Sequence, residues 1–277
     1  MRYDIYHRTR YDYAAPVRDS FNDVRLQPMP IPEQTVENFL LRVLPAARLT
    51  HFKDFYSNWV NHFEIPESHN YLLIEAQSRV NTRPATPLPA EGKVCSFEKM
   101  REAPNIERCF DYLQASRYVE ITPEAWRLAI DATQGIDDAW LATLALMKYV
   151  NGLLKYESNS THVHTHMSEV LKDRRGVCQD FAHLMLGLCR ALKIPARYVS
   201  GYLATEAASA THAWVEVFVP GHGWRGLDPT HDCQIGKTYV KIGNGRDYAD
   251  VSPISGNYRG TLERKMTVEV KITVVPE

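Results

Sequence analysis

The sequence predicts an α+β protein in two parts, and three observations lead to that class. Residues 1–80 carry runs rich in β-branched and aromatic side chains, Tyr3–Thr9, Glu37–Val43 and Asn70–Val80, separated by Pro and Asn clusters. Beyond residue 104, segments with apolar residues at helical spacing come first and β-rich segments follow. Between the two, Asn81–Ala103 holds Pro84, Pro87, Pro89 and Gly92 with little periodicity, the composition of a linker.

The first part, residues 1–90, is expected to form an antiparallel β-sandwich or barrel. The second spans residues 104–261. Within it Pro123–Ala132 and Asp137–Leu154 read as helices, the latter through Trp140, Leu144, Met147 and Leu154. A third helix is predicted from about Cys178 to Lys193, where Phe181, Met185, Leu188 and Leu192 recur at three to four residues until Pro195 stops it. Strands are expected at Ala196–Tyr202, His212–Val219 and Trp224–Asp228, the last two joined by the turn Pro220-Gly221-His222-Gly223. Residues 243–261 read as a long loop, with Arg246, Asp247 and Tyr248 as candidate substrate contacts or, equally, a packed surface segment. In 262–275, Met266, Val268, Val270, Ile272 and Val274 alternate with polar residues, a half-buried strand that closes one of the sheets. If it joins the N-terminal sheet, the two parts are not separable.

Composition narrows the function classes. The 277 residues carry 32 basic and 33 acidic side chains, a net charge of −1, which gives no general attraction for nucleic acid or an anionic membrane. No apolar run approaches a membrane span, and the N-terminus lacks the apolar stretch of a secretory signal. The five cysteines, Cys95, Cys109, Cys178, Cys189 and Cys233, are odd in number, widely spaced and without a C-x-x-C pair, so a reducing cytoplasm is expected.

Chemistry concentrates at Arg175-Gly176-Val177-Cys178-Gln179-Asp180-Phe181, which sets a cysteine at a helix start just after a glycine that lets the backbone turn. Unpaired amides and the positive helix end favour a thiolate there, and the same amides can supply half of an oxyanion hole. A thiolate nucleophile needs a histidine, and that histidine an orienting carboxylate or amide. His183 sits about 140° around the helix from Cys178 and cannot face the sulfur. His212, opening its strand, suits a cleft mouth, and Asp228 ends the neighbouring strand. A simple hairpin pairing Val219 with Trp224 turns Asp228 away from His212, so a bulge or an altered turn is predicted between residues 219 and 228.

Other residues carry weaker signals. Cys189, one turn from Met185, reads as a small hydrophobe; Cys95 and Cys109 read as structural, and Cys233 as a free thiol. His162, His164 and His166 would share one face if extended and could bind zinc or copper, but no carboxylate or cysteine completes the set and a polar loop is the plainer reading. Asp180 and His183 are expected to bind neighbouring groups rather than substrate.

The runs GVCQDFAHLMLGLCRALKIPARYVSGYL, THAWVEVFVPGHGW and GLDPT together resemble the core of the transglutaminase-like superfamily, which shares its Cys-His-Asp order with papain-like folds. YDIYHRTRYDYAAPV and GRDYADVSPISGNYRG resemble its bacterial branch, which has a β-rich N-terminal domain. The resemblance implies a papain-like catalytic core with Cys178 as nucleophile, His212 as base and acid, and Asp228 as its orienter. It implies an oxyanion-holding aromatic at Tyr156, although animal enzymes have Trp there and a longer loop before the cysteine. No acidic EF-hand-like pattern is present, so their calcium dependence does not carry over, and neither a cofactor nor a metal is expected. The implied substrate is a peptide or amide, with hydrolysis favoured over transfer to an amine. A non-catalytic interaction module is the alternative from another class. Oligomeric state is not legible.

Overall fold

In the computed structural model, which describes residues 1–158, 165–205 and 208–276, the N-terminal half is built on one long strand. In β1 (Arg2–Val24) the odd-numbered Tyr3, Ile5, His7, Thr9, Tyr11 and Tyr13 are buried while their neighbours are half-exposed, the period of two of a strand with one covered face. β2 (Gln34–Leu44), β3 (Thr50–Lys53), β4 (Trp59–Ile65) and β5 (His69–Thr82) complete an antiparallel path ordered β2-β5-β1-β4-β3. The first half of β1 pairs with β5 and the second with β4, and the ladder to β5 breaks register between Asp12 and Val17. The sheet thereby folds over onto itself. Val17, Leu26, Phe63, Leu72 and Ile74 fill the fold, and its path ends at β2 and β3, so it is sandwich-like rather than a closed barrel.

Residues 83–95 carry no helix or strand, as the prolines require, yet they are pinned down. Leu88 exchanges two hydrogen bonds with the Gln234 side chain, and the Trp140 indole donates to Pro89 O at 2.8 Å. Two short helices, α1 (Phe97–Met100) and α2 (Ala103–Arg108), lie beyond and were not legible as periodic segments. Thr122 caps α3 (Pro123–Ala132), and Asp138 caps α4 (Ala139–Leu153) with Oδ1 while its Oδ2 accepts from the amides of Val94 and Cys95. The two-residue β6 (Lys155–Tyr156) leaves α4; α5 (Met167–Asp173) leads to β7 (Arg175–Gly176), which pairs parallel with β6.

α6 (Cys178–Ala191) follows at once and is buried from Gln179 to Ala191 on all sides, more than the one-sided apolar pattern suggested. Its Leu184, Met185 and Leu188 pack among Trp140, Leu146, Val215 and Val217, each such side chain contributing about 1.5–3 kcal/mol. Even Arg190 is enclosed, donating to the carbonyls of Gln114, Ala196 and Arg246. β8 (Ala196–Thr205), β9 (Ala208–Val219), β10 (Gly223–Asp228), β11 (Cys233–Gln234) and β12 (Tyr239–Gly245) form an antiparallel sheet ordered β11-β10-β9-β8-β12 against this helix.

The segment 243–261 is not a loop. It contains the end of β12, α7 (Tyr248–Val251) and β13 (Ile254–Arg259). Asp247 organises it from a buried position, with Oδ1 accepting from Ala249 N and Oδ2 from Tyr118 N, partners that glycine and aspartate composition alone does not reveal. β13 pairs with the second half of β1, so residues 254–259, expected in the second part, lie in the N-terminal sheet. β14 (Arg264–Val275) pairs with β1 from Arg2 to Tyr13, and both ends of the chain share one ladder.

Two amides lock the halves together. Gln34 donates to Lys241 O and accepts from Lys241 N, and Asn58 does the same with Asn244, each bond at 2.8–2.9 Å. Each side chain thus extends the backbone ladder of β12. Tyr3, Ile5 and Val80 pack on Tyr202, Val240 and Ile242 beside them, and His7 Nδ1 lies 3.0 Å from the Tyr202 hydroxyl.

Candidate active site

Cys178 is the first residue of α6 and half-buried, so its amide has no acceptor within the helix. The turn before it is closed by Asp180, whose Oδ2 accepts from Val177 N at 2.7 Å. Gly176 serves this turn for a reason other than backbone freedom. It is absent from the residues with positive φ, but a Cβ there would lie 2.6 Å from both Cβ and Oδ2 of Asp180. Only glycine leaves room for the capping carboxylate. Asp180 and His183 hold backbone groups as expected, His183 Nε2 accepting from Tyr248 N at 3.2 Å.

His212 lies within β9, and Asp228 ends β10. The hairpin between them contains no bulge: Val219 pairs with Gly223 and the ladder runs regularly to Leu227 opposite Val215. The displacement comes from the turn. His222 N donates to Val219 O, and Gly221 and Gly223 take φ of 83° and 76°, closing a loop one residue tighter than the simple hairpin. Continued by one residue, this register sets Asp228 level with Trp214, on the His212 face. His212 Nε2 is 2.7 Å from Asp228 Oδ2, both groups being buried. The ring also hydrogen-bonds Cys178, which leaves Nδ1 facing the sulfur. Burial alone would lower the His212 pKa, but the hydrogen bonds to Asp228 and Cys178 outweigh it and raise the value to about 9.

Two partners of Asp228 escaped the sequence reading. His231 Nδ1 and the Tyr239 hydroxyl each lie 2.8 Å from Oδ2, and Oδ1 accepts from the amides of Thr230 and His231 at 2.8 and 3.3 Å. Burial favours the neutral carboxyl, yet the donors from His212, His231 and Tyr239 more than offset it and hold Asp228 below the ordinary aspartate range. His231 had a local signal, three residues after Asp228; Tyr239 reaches the site only through the sheet. The ligating atoms of His212, Asp228 and His231 lie within 4.8 Å of one another, the spacing of a metal site. Both imidazoles already hydrogen-bond Asp228 Oδ2, and a cation would compete with the proton that His212 holds.

Tyr156, level with Gly176 in the β6–β7 pair, is exposed, and its hydroxyl pKa is raised by partial desolvation and by the neighbouring Cys178. Of the candidates in 243–261, Tyr248 reaches the cleft, whereas Arg246 is ion-paired to Asp250 at 2.9 Å and Asp247 is a buried cap. His162 and His164 lie outside the described residues; His166 lies 3.8 Å from Glu120 and edge-on to Tyr118. Cys189, Cys95 and Cys109 are buried thiols whose pKa burial raises, and Cys233 lies 3.5 Å from the Tyr239 hydroxyl. A cleft of about 270 Å³ opens over Cys178 and His212, roofed by β1 and β14.

Two family models match the chain: the transglutaminase-like superfamily over residues 127–229, and the bacterial transglutaminase-like N-terminal region over residues 3–81. "Uncharacterized protein ML0607" of Mycobacterium leprae is 31% identical over 98% of this chain and 98% of its own length. "Uncharacterized protein Rv2569c" of Mycobacterium tuberculosis is 34% identical over 99% of this chain and 93% of its own. "Protein-glutamine gamma-glutamyltransferase" of Pseudomonas aeruginosa is 33% identical over 31% of this chain and 15% of its own length. A crystal structure named "Putative Cysteine Protease from Cytophaga hutchinsonii" superposes over 100% of this chain and 92% of that one with a TM-score of 0.80 at 24% identity, a likeness of fold.

Proposed function

Because the chain belongs to the transglutaminase-like superfamily, we propose that it is a cysteine-dependent enzyme that hydrolyses an amide or peptide bond through a thioester on Cys178. The observation that carries this reading is the continuous line from Asp228 Oδ2 through His212, 2.7 Å away, to the Cys178 thiol at a helix start. The Cys178 thiolate attacks the carbonyl carbon, and the imidazolium of His212 gives its proton to the departing nitrogen as the C–N bond breaks. Neutral His212 then takes a proton from water, whose oxygen displaces the sulfur and releases the acid. Asp228 keeps the ring oriented throughout and favours its cationic form before the first step and after the second. The Cys178 amide and the Tyr156 hydroxyl are the candidate donors to the oxyanion.

Transfer to an amine shares the first half of this sequence, and the likeness to the Pseudomonas aeruginosa protein-glutamine gamma-glutamyltransferase favours keeping it as the second reading. The unpaired state of all five cysteines supports action in a reducing, cytoplasmic setting. The test is iodoacetamide alkylation across pH, read by intact mass, beside His212→Ala. Cys178 is expected to react below pH 8 faster than the other four cysteines, and the variant to lose that advantage. Equal rates in both proteins would leave the non-catalytic module as the better reading. Cadaverine added to a turnover assay separates the two acyl acceptors, since transfer yields the substituted amide and hydrolysis the acid.

A further inference from the structure

The apolar row of β14 meets two different environments. Val270 and Ile272 pack into the joint between the halves, against the cluster of Tyr3, Ile5 and Tyr202. Met266 and Val268, opposite Tyr11 and Thr9 of β1, instead overhang the cleft above Cys178 and His212 with 56% and 49% of their surface open. The strand therefore keeps an apolar face where no part of the described chain covers it. Among the described residues, no Asp, Glu, Lys or Arg lines the cleft, in a chain with 23% charged side chains. His7, on its roof, is held neutral by burial, which lowers its pKa to about 4, and both ring nitrogens are engaged by Tyr202 and Thr9. At about 270 Å³ the space falls just below the roughly 300–1,000 Å³ of pockets for drug-sized ligands, room for one or two side chains of an extended chain.

We propose that Met266 and Val268 form the specificity wall of the cleft, and that the substrate is an extended peptide or acyl amide whose side chain next to the reacting carbonyl is apolar and uncharged. This rests on Cys178 being the nucleophile, as proposed above. A charged side chain entering here would lose its hydration without gaining a partner, whereas an apolar one covers surface that water now wets. The substrate is thus selected by a strand from the far end of the chain, lying across the catalytic half.

The test is covalent labelling of Cys178 in the full chain by peptidyl chloromethyl ketones bearing Leu, Phe, Asp or Lys beside the ketone. Each rate is divided by the iodoacetamide rate of the same protein, so that intrinsic thiol reactivity cancels. For the unmodified chain, the Leu and Phe reagents are expected to label at least tenfold faster than those with Asp or Lys. Met266→Asp/Val268→Asp should reduce the preference for Leu over Lys at least tenfold, and Met266→Ala/Val268→Ala, which adds no charge, should fall between. A ratio within threefold of one in the unmodified chain, or ratios unchanged in both variants, would overturn the proposal. So would a stable dimer in sedimentation that the Asp variant dissolves, which would assign the row to a second copy. An ordinary iodoacetamide rate at Cys178 tells against the nucleophile alone, because the ratio still scores the wall.

Discussion

Replacing Asp228 with Asn tests the electrostatic reading of the site most directly, because it keeps the shape and removes the charge. The carboxylate accepts from five donors, three on Oδ2 and two on Oδ1. An Asn side chain has one oxygen and one NH₂ group, so in either orientation it sets donor against donor, facing either His212 and Tyr239 or the amides of Thr230 and His231. His212 is held at about 9 against an ordinary 6.5, a difference on the order of 3 kcal/mol for the protonated ring. Loss of the Asp228 share of that support, with the ring still buried and only Cys178 left to oppose desolvation, lowers its pKa toward the ordinary value. The alkaline limb of kcat/KM should then move from about pH 9 toward 6.5, and the rate at neutral pH should fall about fourfold from lost protonation alone, and further as the ring loses its orientation. Stability follows the same proton. Because the folded pKa of His212 lies above the unfolded one, its contribution is fully present below about pH 6.5 and is lost as pH rises through about 9. The unmodified chain should therefore lose melting temperature between pH 7 and 10 in excess of the Asn variant. An alkaline limb still near pH 9 in the variant, with less than threefold loss of rate, would refute the reasoning.

Three further changes probe separate parts of the structure. Gly176→Ala places a Cβ 2.6 Å from the Asp180 side chain, and should cost about 1–3 kcal/mol, visible as a drop of several degrees in differential scanning fluorimetry; an unchanged melting point would contradict the packing argument. Glu216→Gln removes the shared partner of Arg197 and the buried Lys241, at 2.6 and 2.7 Å, and should cost about 3–5 kcal/mol in urea unfolding, whereas a neutral result would show that both cations find other acceptors. Tyr156→Phe should lower kcat by about a hundredfold while iodoacetamide alkylation, which forms no oxyanion, changes little; equal loss in both would mean that Tyr156 supports the thiol rather than the oxyanion.

Where local chemistry decides, the sequence was a good guide. α3 begins at Pro123 and ends at Ala132 as its spacing and its Thr122 cap require, and α6 starts at Cys178 because Asp180 can reach back to the Val177 amide. The short helices at 97–108 lacked the length for a period to register, and the 243–261 segment looked irregular because its organiser, Asp247, answers to Tyr118 across the fold. The hairpin before Asp228 is the clearest intermediate case. That the simple register fails was legible, but Pro220-Gly221-His222-Gly223 fits loops of different lengths, and the choice of Val219 opposite Gly223 rests on which glycines take positive φ.

By itself the sequence determined the helix-start cysteine, the order Cys-His-Asp and the strand character of the two chain ends, since each follows from periodicity, capping and turn chemistry within a few residues. Only the tertiary structure decided that His231 and Tyr239 share the Asp228 oxygen, that Gln34 and Asn58 lock the halves, and that β14 returns to β1 to roof the cleft. Those pairings join residues up to 273 positions apart, as Arg2 with Val275. They arise because a strand edge and a buried carboxylate must find partners wherever the packed chain supplies them, a requirement that no local pattern encodes.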